Sequence, residues 1–172
     1  HHPPPHTLAT ALQHTRTHFT HRAVILATNR EDLAARLGDL TAGQEHPRVV
    51  TGTATAATRL LFVYPGQGGQ WPGMAAGLLD TDPVFAATAR ACADACNPHL
   101  DYDLHAVLAN EDSAAPLSRV DVVQPALFAT MVALTAVYAH HGIRPDAVVG
   151  HSQGEIAAAH VAGALTLDDA AA

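Results

Sequence analysis

The chain has 172 residues, 48% hydrophobic and 15% charged, which is enough for one domain or a little more with a real core. Nine Lys plus Arg against sixteen Asp plus Glu give a net charge of −7, a balance that argues against a nucleic-acid surface. No uninterrupted apolar run suits a bilayer span, and the N-terminus lacks the apolar stretch of a secretory signal.

The opening "HHPPPH" reads as a polar extended segment, followed by a short helix over residues 7–15. Residues 19–27, "FTHRAVILA", end in a β-branched and apolar run that predicts a strand. Asn29 is a good N-cap, Glu31 and Asp32 fall in the first turn, and Leu33, Leu37 and Leu40 recur at helical spacing before Gly43. Residues 1 to about 57 thus form a small α/β unit, with "TGTATAATR" (51–59) as a small-residue linker or surface segment. His14, His18 and His21 share a face only if that stretch is one helix, and no carboxylate or cysteine joins them, so no metal site is expected.

From Leu60 the pattern changes. "LLFVY" is wholly apolar and suits a strand covered on both faces. It ends at the glycine-rich turn "PGQGGQWPG" (65–73). Helices are expected over 74–79 and 83–96, the second started by Asp82 as N-cap and Pro83 at the first helical position. Cys92 and Cys96 fall on one face of it. With no second cysteine pair they fit no zinc framework, and they read as small buried hydrophobes in a reducing cytoplasm. "NEDSAAPLSRVD" is a loop. A long apolar helix spans Gln124 to His141, with Pro125 near its start and Gly142 past its end. "DAVVG" is a second buried strand, 153–163 a helix, and "LTLDDAAA" opens another helix inside which the chain stops. Strand, helices, strand, helix is the order of a parallel sheet with flanking helices, an α/β fold.

Gly150-His151-Ser152-Gln153-Gly154 follows the second strand and has the Gly-x-Ser-x-Gly form of a nucleophile elbow. Glycines are needed where strand and helix backbones nearly touch. The bend exposes the serine at the positive end of the following helix, with the Gln153 N–H facing an oxyanion. His151 diverges from Ser152 at such a bend and His160 lies two turns on, so neither is the expected base. "GQGGQ" lacks the Lys-Ser/Thr ending of a P-loop and the third glycine of a dinucleotide fingerprint; it reads as the loop carrying the second oxyanion donor.

"FVYPGQGGQWPGM" (62–74), "RVDVVQPALFA" (119–129) and "VVGHSQGEIAAAHVAGAL" (148–165) together resemble, in order and spacing, the acyltransferase domains of modular type I polyketide synthases, relatives of malonyl-CoA:acyl-carrier-protein transacylases. Family members more often carry serine or alanine where Gly69 stands. Residues 1–57 look like the later part of the linker between ketosynthase and acyltransferase, and 58–172 like the N-terminal part of an acyltransferase domain with a partial α/β-hydrolase-like parallel sheet. The resemblance implies that Ser152 takes an acyl group from CoA as an ester and passes it to the phosphopantetheine thiol of an acyl carrier protein. No metal or bound cofactor takes part. It implies an oxyanion hole from the N–H groups of Gln67 and Gln153, and a substrate pocket lined by Gln124, His151, Gly66 and Gly68. "RVDVVQ" and Gln153 are similar to the pattern of domains that select methylmalonyl-CoA over malonyl-CoA. The family's base histidine, its carboxylate-binding arginine and its ferredoxin-like subdomain would lie downstream. These residues alone are therefore expected to be poorly soluble and inactive, working only beside the adjacent ketosynthase and the rest of the domain, in the cytoplasm. Two other readings stand beside it: a thioesterase of the α/β-hydrolase type, with water as acceptor, and a non-catalytic remnant that packs between domains.

Overall fold

The computed structural model describes residues 3–55 and 59–172. They divide into two compact units, His1–Thr58 and Arg59–Ala172.

In the first unit, helix α1 (Pro5–Thr15) leads to strand β1 (His21–Ile25), helix α2 (Arg30–Thr41) and strand β2 (Val49–Thr53). α1 starts with proline in its first turn, so the expected extended segment is helical from Pro5 onward. Because α1 stops at Thr15, His14, His18 and His21 lie on a helix, a connection and a strand rather than on one face. Asn29 caps α2 by accepting from the Asp32 N–H at 2.9 Å. Asp32 in turn receives the Thr28 N–H and both arms of Arg48, at 2.7 and 2.9 Å. The Thr28 amide, then the Arg48 charge, hold the Asp32 carboxyl below its ordinary range.

β2 takes the place of a linker over 51–53, while the surface alternative for this stretch holds, since Thr51, Gly52 and Thr53 are exposed. Thr51, Gly52 and Thr53 pair antiparallel with Ala23, Arg22 and His21. Thr51 and Thr53 suit a strand, and Gly52, a poor strand former, is held there by the ladder with β1 rather than by burial, since most of β2 is exposed. Residues 56–58 of that stretch lie outside the described residues.

In the second unit, strand β3 (Leu61–Tyr64) pairs in parallel with strand β4 (Ala147–Gly150), in the register Phe62 to Val148 and Tyr64 to Gly150. Between them run helices α3 (Ala76–Thr81), α4 (Pro83–Cys96), α5 (Leu104–Ala109) and α6 (Val120–His140). After β4 come α7 (Gly154–Val161) and α8 (Leu167–Ala171). α4 begins where the Asp82-Pro83 signal puts it, with the Asp82 carboxylate accepting from the Val84 and Phe85 amides at 2.9 Å.

The core lies between α4 and α6. Phe85, Ala89, Cys92, Ala93 and Cys96 form a buried stripe along α4 at helical spacing. Val122, Val123, Ala126, Ala129 and Ala133 of α6 are buried with them. Cys92 and Cys96 are free thiols within this core; burial pushes Cys92 up to about 12. α6 ends at Gly142, which takes φ +79 and lets the Ile143 amide reach back to the Tyr138 carbonyl at 2.9 Å.

Three expectations change here. β3 and β4 are not covered on both faces: Phe62, Tyr64 and Val148 turn toward the core, whereas Leu61, Val63 and Val149 are 53%, 64% and 47% exposed. The described helices cover the former side of the ladder only. α6 begins at Val120, not at Gln124, and so runs through Pro125. Among the described residues it is also the one helix long and apolar enough to cross a membrane by length and composition, although 56% of its most apolar window is buried inside the fold. Finally, α5 forms over residues to which no element was assigned. Asp103 caps it through the His105 amide, and Leu104, Val107 and Leu108 supply its buried face.

Candidate active site

β4 delivers its last residue, Gly150, to a bend that α7 leaves at once. The backbones are so close that a methyl group on Gly150 would stand 2.3 Å from the Glu155 Cα. One on Gly154 would stand 2.3 Å from the Tyr64 carbonyl oxygen of β3. No Cβ fits at either distance, so both glycines are steric requirements of the strand-to-helix junction. The same Tyr64 carbonyl accepts from the His151 amide at 2.9 Å, which ties the bend to β3.

Ser152 sits at the apex with φ +55, one of two non-glycine residues with positive φ among the described residues. A serine there costs on the order of 1–2 kcal/mol relative to ordinary backbone, and surrounding structure must hold it. Its side chain is exposed, and none of the described residues hydrogen-bonds its hydroxyl. The Glu155 amide donates to the Ser152 carbonyl at 2.9 Å, so the serine is fixed by its main chain while its hydroxyl stays free.

The loop after β3 closes on this bend. A methyl group on Gly66 would lie 3.3 Å from Ser152 Cβ, 3.3 Å from the His151 carbonyl oxygen and 3.0 Å from His151 Nδ1. Gln67 follows directly. Among the described residues neither the Gln67 amide nor the Gln153 amide donates a hydrogen bond within the fold. Two loops that meet beside Ser152 thus each carry an uncommitted N–H. Gly68 takes φ +131, and its amide is turned to the Gln70 side chain at 2.6 Å.

Gln153 is buried, 8% exposed, with its side-chain amide aimed at the Pro65 carbonyl at 3.4 Å. Gln124, on the first turns of α6, extends Nε2 toward Gln67 Oε1 at 3.5 Å. Gln124 and Gln153 also line a mainly apolar cavity of about 200 Å³ with Phe128, Ile156, Cys96 and Asp121. His151 is exposed beside Gly66. His160 is engaged elsewhere: Nδ1 lies 3.2 Å from the Leu165 carbonyl, and its ring packs edge-on against Phe128. The sequence-derived candidates Ser152, Gln153, Gln67, Gln124, Gly66 and His151 therefore converge on one place, and Gly68 shapes its rim.

Two features escape the sequence. Tyr64 donates or accepts a 2.8 Å bond with Thr135 of α6, which anchors the end of β3 below the elbow. Around Gln124, Arg119, Asp101, Tyr102 and Asp121 form a polar cluster. Only contacts between residues far apart in the chain reveal either.

A serine held in left-handed backbone between a parallel strand and a helix, against a glycine-rich loop from the neighbouring strand, defines an α/β protein of the nucleophile-elbow class. Residues 61–172 match the family described as the acyl transferase domain. The chain is 54% identical over 166 residues to the polyketide synthase GfsB of Streptomyces halstedii, covering 96% of this chain and 3% of that protein. It is 52% identical over 167 residues to the pikromycin polyketide synthase component PikAIII of Streptomyces venezuelae, covering 97% of this chain and 10% of that one. The acyltransferase domain from module 8 of the salinomycin polyketide synthase superposes with a TM-score of 0.85 at 48% identity, covering 97% of this chain and 40% of that structure. The chain belongs to the acyl transferase domain family, of the kind found in modular polyketide synthases. It spans only a small fraction of the length of these curated relatives.

Proposed function

We propose that Ser152 is the nucleophile of an acyl transfer in which an extender unit passes from CoA to an acyl carrier protein during polyketide assembly. The observation that carries this reading is the exposed Ser152 hydroxyl at φ +55, beside a Gly66-Gln67 loop with a free amide. Its oxygen attacks the thioester carbonyl as its proton passes to a base from outside these residues, the carbonyl oxygen becomes negative between the Gln67 and Gln153 amides, and the C–S bond breaks with the same proton returned to sulfur, so that CoA leaves as the thiol. The phosphopantetheine thiol of the carrier then takes the acyl group from the serine ester. The chain's own Gln67 and Gln153 amides would hold the oxyanion, and we infer no metal or bound cofactor. A cytoplasmic location is part of the same proposal.

Methylmalonyl is the extender unit this reading favours over malonyl. Its support is the sequence "RVDVVQ" leading to Gln124, and Gln153 after the serine. The choice concerns one methyl group, worth about 1–3 kcal/mol in a pocket. Residues 1–172 alone do not complete the reaction in this account, because the described residues bring no histidine to the Ser152 hydroxyl. The remainder of the domain would supply that base and the clamp for the extender's free carboxylate, with the ketosynthase adjoining.

The test uses the intact polypeptide that carries this chain, with labelled methylmalonyl-CoA and malonyl-CoA in competition, before and after addition of holo-carrier protein. Preferential methylmalonyl labelling that discharges to the carrier supports the reading. Release to water at the same rate with and without carrier would support the thioesterase instead, and an unlabelled protein would leave only a packing role.

A further inference from the structure

α6 runs through Pro125, and proline cannot donate the backbone bond that the Asp121 carbonyl would otherwise receive from four residues on. A helix carbonyl left in this way is open to another donor. Tyr102, from the segment before α5, provides one: its hydroxyl donates to the Asp121 carbonyl at 2.6 Å. The Arg119 guanidinium lies over the Tyr102 ring, 5.6 Å from its centroid. It also bonds the Asp121 carboxylate through Nε and Nη2, and Asp101 at 3.0 Å. The Arg119 carbonyl accepts the Val122 and Val123 amides at 3.2 and 3.0 Å. One residue further on stands Gln124, which reaches Gln67.

We propose that Tyr102 and Arg119 form a clamp that replaces the backbone bond lost at Pro125, holding the first turn of α6 so that Gln124 meets the Gln67 loop beside Ser152. This inference rests on the acyl-transfer reading for its kinetic consequence. The clamp is half-exposed, and exposed ion pairs contribute little to global stability, so its effect is on placement rather than on folding. Both are positioning residues: neither lines the cavity, and each acts through Asp121 and Gln124.

The experiment measures kcat/KM for acylation of the intact polypeptide, together with hydrogen exchange of the amides of residues 121–124. Tyr102→Phe and Arg119→Ala are each expected to lower kcat/KM about tenfold, a loss of the size that misplacing a site group produces. In a Gln124→Ala background the same substitutions are expected to cost nothing further. Exchange at 121–124 rises in both variants and stays unchanged at 129–133. Pro125→Ala returns the missing amide, and in the Tyr102→Phe protein it restores both slow exchange and rate. The proposal is overturned if exchange at 121–124 is unaltered, or if the kinetic loss is the same with and without Gln124. The exchange arm is independent of acyl transfer: an intact polypeptide that never acylates refutes the transfer reading alone, while the clamp stands or falls on the exchange of 121–124 and its reversal by Pro125→Ala.

Discussion

Gly66 lies directly against Ser152, with only 3.3 Å between the serine Cβ and the point where a methyl group on Gly66 would sit. The glycine-rich loop and the elbow are thus two halves of one surface, joined where a side chain on Gly66 would make its neighbours give way. Gly66→Ala should push the Gln67 amide away from the serine. The expected outcome is a loss of acylation of about a hundredfold, the size seen when one oxyanion donor is removed, with little change in melting temperature. Acylation kinetics and a thermal melt of the same protein check it, and an unchanged rate would place the donor elsewhere.

Gly154→Ala is expected to act differently. Its methyl would collide with the Tyr64 carbonyl at 2.3 Å, a main-chain atom with no flexible side chain to yield. Strand β3 and helix α7 must separate, so the expected result is loss of folded protein, read as protease sensitivity of residues 59–172 in the intact polypeptide.

The strain at Ser152 gives a stability prediction that does not depend on chemistry. Ser152→Ala and Ser152→Gly both remove the hydroxyl, but only glycine takes φ +55 without cost. The glycine variant is expected to be about 1 kcal/mol more stable than the alanine variant, and both inactive. Denaturant midpoints of the two proteins compare them directly.

Much of this arrangement is legible in the sequence, and the reason is local. Asp82-Pro83, Asn29 and the Gly150-to-Gly154 spacing encode caps and a bend within a few residues, and the structure forms them there. What is not legible depends on partners distant in the chain. Gly52 and its neighbours become a strand only because β1 lies beside them. α6 starts before Pro125, where the proline removes one backbone bond, and the Asp121 carbonyl accepts instead from Tyr102, a partner that sequence reasoning about proline does not foresee. The exposed side of β3 and β4 likewise follows from which elements pack on the sheet, not from the apolar run itself.

Cys92 offers a prediction with a definite sign. Burial raises its thiol from 9.0 to about 12, so the folded state holds the proton more tightly than the unfolded state. Its contribution to stability is full below about pH 9 and declines as pH rises toward 12. Alkylation at Cys92, followed by peptide mass spectrometry, is expected to be slow in the native protein and to reach the rate of an ordinary thiol only in denaturant. Rapid labelling of Cys92 in the native protein would contradict the buried placement.

Phe85, on α4, is the largest fully buried side chain among the described residues. Phe85→Ala is expected to cost about 3–5 kcal/mol, measured as a lowered denaturant midpoint for this region.

The most direct measurement is the mass of the peptide that contains residue 152 after the intact polypeptide is mixed with methylmalonyl-CoA and quenched in acid. The account predicts one acyl ester on Ser152, absent in Ser152→Ala and lost on addition of holo-carrier protein. An acyl group on another residue, or an ester that persists in Ser152→Ala, would contradict it.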